Sequence, residues 1–201
     1  MTSTLQLLQQ EIMHLSNAVQ YIENNDNIKL AVDIMYKSLL HGSKILFTGV
    51  GKNVYLCHKL SATFASLNLN ASYFDVTHGM HGDLGMLRPN DTIVAFSKSG
   101  NTAELLHTLK YVHDNNEILN VNIILVTQQG IYDVSKCEFS TIDINLPAVQ
   151  EIDEWSLVPT TSALLFQAFG DAIAINLSQR FGLIKEHFIF THPGGAIGQT
   201  K

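Results

Sequence analysis

An α/β fold, a parallel sheet with helices on both faces, is the class this sequence predicts, and three observations predict it. Short apolar, β-rich runs recur at 44–50, 70–76, 92–96, 122–127 and 141–146. Helical patterns separate them at the spacing of right-handed crossovers, which build a doubly wound parallel sheet. Two strand-to-helix turns, Gly49-Val50-Gly51-Lys52-Asn53 and Ser97-Lys98-Ser99-Gly100-Asn101-Thr102, are rich in glycine or hydroxyl residues. Such turns bring backbone close to a ligand at the carboxyl edge of the sheet.

Residues 3–24 place Leu5, Leu8, Ile12, Leu15, Val19 and Ile22 at alternating spacings of three and four, the seam of an amphipathic helix. The seam fits packing on its own domain and a dimer contact equally well. Asn25-Asp26 offers an N-cap for a second helix over 27–41, which stops at Gly42. The strand at 44–50 leads through the first glycine turn into a helix over 53–67. That turn is not a dinucleotide fingerprint, because the third glycine is missing and only Asp75 stands near the place of the expected acid. Lys52, held at a glycine turn on the carboxyl edge, faces the crevice where ligands of such folds sit.

The second strand, 70–76, is followed by a loop with His78, His81 and Asp83. Two imidazoles and a carboxylate raise the question of a metal, but no cysteine cluster supports one, and none is expected. The third strand opens directly into the 97–102 turn and a helix with Leu105, Leu106, Leu109 and Val112 on one side. First-turn amides without helical partners, the helix dipole and Gly100 make this turn an anion site. Ser97, Ser99 and Thr102 add hydroxyl donors, and Glu104 stands just inside the helix. A plain N-cap by Ser99 or Thr102 is the simpler alternative.

A fourth strand at 122–127, a short helix near 131–137 and a fifth strand at 141–146 complete the sheet. The connector 147–158 carries Glu151, Asp153, Glu154 and Trp155, of which Asp153 and Glu154 read as solvated. Pro159-Thr160-Thr161-Ser162 starts a long core helix reaching about 180.

Composition narrows the function classes. A chain of 201 residues with 46% hydrophobic content supports one domain with a sizeable core. A net charge of −6 with no basic stripe excludes a nucleic-acid binder. Cys57 and Cys137 lie far apart and read as buried thiols of a cytoplasmic protein. No basic, apolar leader opens the chain, and the most apolar stretch, 161–177, contains Gln167 and Asp171, so no membrane partner is expected.

SxSGxT after a strand resembles the phosphate loop of the sugar isomerase (SIS) domain. With GVGKN at 49–53, HGDLGM at 81–86, PTTS at 159–162 and THPGGAIG at 191–198, the chain resembles the arabinose-5-phosphate isomerase family. These blocks keep the family's order and span 44–198. The resemblance implies a flavodoxin-like or Rossmann-like three-layer sandwich of five parallel strands. It implies one SIS domain over 1–201, with N-terminal helices at 3–41 and without the paired CBS domains of many relatives.

The resemblance also assigns residues. Lys52, Glu104, Glu151 and His192 take the catalytic positions, Glu151 because it stands eight residues before Pro159, and His192 as a residue supplied near a subunit interface. Gly49, Gly51, Ser97, Ser99, Gly100, Asn101, Thr102, His81, Asp83 and Thr160 take substrate-binding positions, the HGDLGM block shaping the sugar pocket. One departure stands out: the family's HPGEA pattern before HGD would put His at 75 and Glu at 78, where this chain has Asp75 and His78.

The implied reaction interconverts D-arabinose 5-phosphate and D-ribulose 5-phosphate through an enediol(ate), feeding 3-deoxy-manno-octulosonate synthesis. It needs a base on carbon, acid–base help at the oxygens and assistance in opening the ring. Fixed donors stabilise the enediolate, so no metal and no cofactor is expected. In this scheme Glu104 and Glu151 are the carboxylates, Lys52 stabilises the oxyanion and His192 assists ring opening. A homo-oligomer, dimer or tetramer, is the expected assembly. A phosphosugar sensor without turnover is one alternative, against which the joint presence of the four catalytic residues weighs, and an isomerase of another sugar phosphate is a second, for which the 75–83 loop is the discriminating feature.

Overall fold

The computed structural model describes residues 2–22, 26–128, 139 and 141–194. Two helices lead the chain, α1 (Thr4–Gln20) and α2 (Asp26–Leu40). Then come β1 (Ile45–Gly49), α3 (Asn53–Ser66), β2 (Ala71–Tyr73), α4 (Val76–Gly79), a 3₁₀ turn (Asp83–Met86) and β3 (Thr92–Phe96). The chain continues with α5 (Ala103–Asp114), α6 (Asn116–Leu119), β4 (Asn122–Gln128), β5 (Ile142–Leu146), α7 (Thr161–Arg180) and α8 (Lys185–Thr191).

The five strands form one sheet in the order β2-β1-β3-β4-β5, every pair parallel. Each strand sends alternate residues to opposite faces. Ile45, Phe47, Val94, Phe96, Ile124 and Val126 face a core shared with α1, α2, α3 and α7. Leu46, Ile93, Ala95, Ile123 and Leu125 face a second core with Leu105, Leu109 and Val112 of α5. The near-continuous apolar strands are thus covered on both sides, as a parallel sheet requires. Strand order reverses between β1 and β3, so the crevice outside their carboxyl ends is the topological switch point.

Several expected boundaries change. The second strand is three residues rather than seven. It lies at the sheet edge with β1 as its one partner, and Asp75 immediately caps α4 by accepting from the Thr77 amide at 2.8 Å. The expected 77–83 loop is therefore partly helical. The first helix ends at Gln20 rather than 24. Asn25 and the helix expected near 131–137 lie outside the described residues, as does Cys137. Of the apolar seam on α1, Leu15 and Ile22 pack against the core. Leu5, Leu8, Ile12 and Val19 are each at least half exposed.

Candidate active site

The ends of β1 and β3 are held together tightly. In register, Gly49 pairs with Phe96. A Cβ on Gly49 would stand 2.7 Å from the Asn53 Cβ and 3.1 Å from the Phe96 carbonyl oxygen. Only glycine lets α3 start this close to the sheet, and Asn53 Nδ2 then donates to the Phe96 carbonyl at 3.1 Å. Gly51 turns the chain with φ +65° and faces open space. Lys52 follows at the N-cap of α3, exposed, with no side-chain partner among the described residues.

Across the switch point lies the 97–102 turn. Ser97 is buried, and its Oγ accepts the Gly100 amide at 3.1 Å and contacts Thr102 Oγ1 at 2.9 Å. The same Gly100 amide lies 3.2 Å from the Ser97 carbonyl, and Gly100 adopts φ +67°. Ser99 Oγ accepts the Asn101 amide at 3.2 Å, which leaves its own hydroxyl proton for another acceptor. Ser97 and Thr102 thus brace the turn that they were expected to line. No cap is made by the Thr102 side chain. The amides of Ala103 and Glu104 have no acceptor among the described residues. The turn is braced from within, while the first amides of α5 have no acceptor among the described residues.

Glu104 is exposed in the first turn of α5, without a side-chain partner among the described residues. On the same face of the sheet, Thr108 Oγ1 of α5 donates to the Val76 carbonyl at 3.0 Å, so α5 carries α4 and the segment after it. His81 and Asp83 are exposed there. Asp75 and His78, the pair that departs from the family pattern, meet each other, with Oδ2 and Nδ1 3.1 Å apart. Burial raises the Asp75 pKa, but bonds from Thr77 and the nearby His78 outweigh it and hold the carboxyl below its usual range. Among the described residues no three His, Cys, Asp or Glu side chains gather as around a metal ion.

Glu151 has a different setting. It is fully buried at the start of α7. Oε2 accepts from the Thr160 amide at 3.0 Å, the Thr160 hydroxyl at 3.1 Å and the Ser162 amide at 3.1 Å. Oε1 accepts the Ser162 hydroxyl and Lys98 Nζ, the latter at 2.5 Å. Burial acts to raise its pKa, yet the bonds from Lys98, Ser162 and Thr160 prevail and hold the carboxyl below the ordinary glutamate range. Sequence reasoning gives Lys98 no role, since residue 98 is only the variable position of SxSG, and gives Ser162 a place only in the PTTS helix start. Thr160, expected at substrate, has its hydroxyl on Glu151 and also accepts the Ile152 amide at 3.2 Å.

Asp153 corrects another expectation. Rather than being simply solvated, it organises the connector by accepting the amides of Trp155, Leu157 and Val158. Those bonds, led by the one from Leu157, hold its carboxyl below the usual range.

His192 lies away from the other site residues. Its Nδ1 donates to the Phe188 carbonyl at 2.7 Å and its ring stacks on Phe188 with centroids 4.1 Å apart. The neighbouring Thr191 hydroxyl reaches the Ser66 carbonyl at 3.2 Å, at the far end of α3 from Lys52. Fourteen residues of helix separate the two ends, roughly 20 Å at 1.5 Å per residue. Within one chain, His192 is therefore at the opposite end of α3 from the crevice.

A family model described as the SIS domain matches residues 38–175. The arabinose 5-phosphate isomerase KdsD of Yersinia pestis is 35% identical over 194 residues, covering 96% of this chain and 56% of that protein. The protein of the same name from Francisella tularensis is 30% identical, covering 92% of this chain and 59% of the relative. An Escherichia coli CFT073 protein solved in complex with arabinose 5-phosphate superposes with a TM-score of 0.76 at 29% identity, over 96% of this chain and all of that one. The chain spans between half and three fifths of the length of the curated relatives it matches.

Proposed function

The chain belongs to the SIS-domain family, and from that premise we propose that it interconverts D-arabinose 5-phosphate and D-ribulose 5-phosphate as an aldose–ketose isomerase. The observation that carries this reading is the turn at the switch point. Internally braced hydroxyls hold first-turn amides at the end of β3 that, like Lys52 at the start of α3, have no partner among the described residues. The KdsD relatives and the neighbour with bound arabinose 5-phosphate support the choice of sugar phosphate over other anions.

In this scheme the phosphate sits on the 97–102 turn, so binding energy is realised away from the reacting carbons. A carboxylate removes the proton from C2 of the aldose and returns it to C1 through the enediolate. Lys52 faces the oxyanion that develops on the way. Glu104, in the first turn of α5, and Glu151, at the start of α7, are the carboxylates of this scheme. His81 and Asp83, carried beside α5, bound the sugar.

His192 enters this scheme from a second subunit. Its distance along α3 from Lys52 supports this, as do the uncovered Leu5, Leu8, Ile12 and Val19 on α1. A cytoplasmic setting completes the reading, supported by the buried free thiol of Cys57. No helix among the described residues is long and apolar enough to cross a membrane.

The test is turnover of arabinose 5-phosphate by metal-stripped protein, read as ribulose 5-phosphate, together with a mixing experiment. Lys52→Ala and His192→Ala proteins, each inactive, are unfolded together and refolded as mixed assemblies. Recovered activity supports a site shared between subunits. Wild-type protein that binds the sugar phosphate without converting it would replace the isomerase with a sensor.

A further inference from the structure

Glu151 accepts five hydrogen bonds, three on Oε2 and two on Oε1. A carboxylate offers about four lone-pair positions, so those of Glu151 are taken. A base that removes a proton from carbon must present a free lone pair to it. Glu151 would first have to release Lys98 or a residue at the start of α7, and it has no solvent-exposed surface. Glu104, on α5, carries no such bonds among the described residues.

Lys98 has the opposite character. It lies inside the anion-binding turn, between Ser97 and Ser99, and its carbonyl accepts the Gln128 amide of β4 at 3.3 Å. Its side chain is 32% exposed. An ammonium has three N–H donors. One goes to Glu151, and the others have no acceptor among the described residues. Glu151 thus fixes the direction of a cation whose side chain is still partly exposed. The backbone tie to β4 fixes where that side chain starts.

We propose that Lys98 is a second cation of the sugar-phosphate site, that Glu151 is a positioning residue acting through it, and that Glu104 is the carboxylate that carries the substrate proton. The inference rests on the isomerase reading above. In the reaction, Glu104 takes the C2 proton while the electron pair of that bond forms the C1–C2 double bond and negative charge collects on O1. The O2 hydroxyl proton passes to O1, and return of the carbon proton to C1 as the C2 carbonyl forms regenerates the carboxylate, with Lys52 and Lys98 as the cations that balance the oxygen and phosphate charge.

The experiment is calorimetric titration with inorganic phosphate and arabinose 5-phosphate, beside steady-state turnover. It uses wild type, Lys98→Met, Lys98→Arg, Glu151→Gln, Glu104→Gln and the double variant Lys98→Met/Glu151→Gln. Lys98→Met alone leaves a buried carboxylate unpaired and threatens the fold. The double variant removes both charges, and Glu151→Gln keeps Lys98 but loosens it. The expected result is a double variant, folded by circular dichroism, whose phosphate affinity falls and KM rises about tenfold, the scale of one charge-assisted hydrogen bond. Lys98→Arg recovers most of the affinity, and Glu104→Gln loses kcat with phosphate affinity unchanged.

Wild-type phosphate affinity in the double variant would overturn the proposal, since Lys98 would then be structural. Loss of kcat in Glu151→Gln at unchanged affinity would also overturn it, by making Glu151 the proton carrier. Wild type that binds neither phosphate nor sugar phosphate removes the inference together with the reading beneath it, which separates that failure from the other two.

Discussion

Two helices begin at the same edge of the sheet, α5 and α7, and their first turns are treated in opposite ways. At α7 the amides of Thr160 and Ser162 are filled by Glu151 from the chain's own connector. At α5 the amides of Ala103 and Glu104 have no acceptor among the described residues, and Ser97 and Thr102 bond each other instead of capping the helix. Both termini carry the partial positive charge of a helix start. The difference makes the α7 terminus a structural joint, and at the α5 terminus the chain supplies no acceptor among the described residues.

The largest test of that difference falls on the two glutamates. Glu104→Gln is expected to lower kcat by about 10²–10⁴, the usual worth of a positioned base, with little change in unfolding midpoint. Glu151→Ala should act mainly on stability. It strands Lys98 and the α7 amides, at a cost of about 3 kcal/mol in urea unfolding. Equal stability losses in the two variants would erase the distinction between the termini.

pH sharpens the comparison further. The Glu151 carboxyl is held below its ordinary value in the folded protein. Its stabilisation is therefore complete above the unfolded glutamate pKa of about 4.3 and is lost as pH falls through the lowered folded value. The gap in unfolding midpoint between wild type and Glu151→Gln should be constant from neutrality to about pH 5, then shrink on further acidification. A gap that widens in acid would mean that the carboxyl is not held ionised by Lys98, Ser162 and Thr160.

The smallest effect is expected within the open turn. Ser97→Ala removes the side-chain acceptor of the Gly100 amide and the partner of Thr102, costing about 1 kcal/mol of stability. Because the turn then loses its internal brace, phosphate affinity measured by calorimetry should fall severalfold. Unchanged affinity would mean that the turn holds its shape through Gly100 and the Ser97 carbonyl alone.

Much of this arrangement is local and therefore readable from sequence. Apolar runs such as Thr92–Phe96, flanked by turn residues and helical patterns, carry the parallel α/β class, because two-sided burial leaves little room for polar residues in a strand. Gly49, Gly51 and the 97–102 turn mark the switch point, since close backbone approach demands residues without bulk. The short β2 was harder to foresee. Ser72 and Tyr73 read as strand, but pairing on one side ends after three residues and Asp75 diverts the chain into α4. The spacing between Asp75 and His78 shows both residues, while only their helical placement three apart brings the ring to the carboxylate.

Other assignments depended on contacts that no local pattern encodes. Lys98 and Glu151 are 53 residues apart, and their ion pair forms because β3 and the start of α7 end at one edge of the sheet. The Thr160 hydroxyl reaches Glu151 over only nine residues, through the way the connector folds back on the start of α7. His192 shows the limit most clearly, since its motif is local but its place beside Ser66, at the far end of α3 from Lys52, is set by how α8 packs. The residues alone settled the fold class, the tight turn at 97–102 and the chemical types available, because periodicity and backbone freedom act over a few neighbours. Folding settled which carboxylate is consumed by internal donors and which stays free, because burial and ion pairing depend on segments distant in the chain.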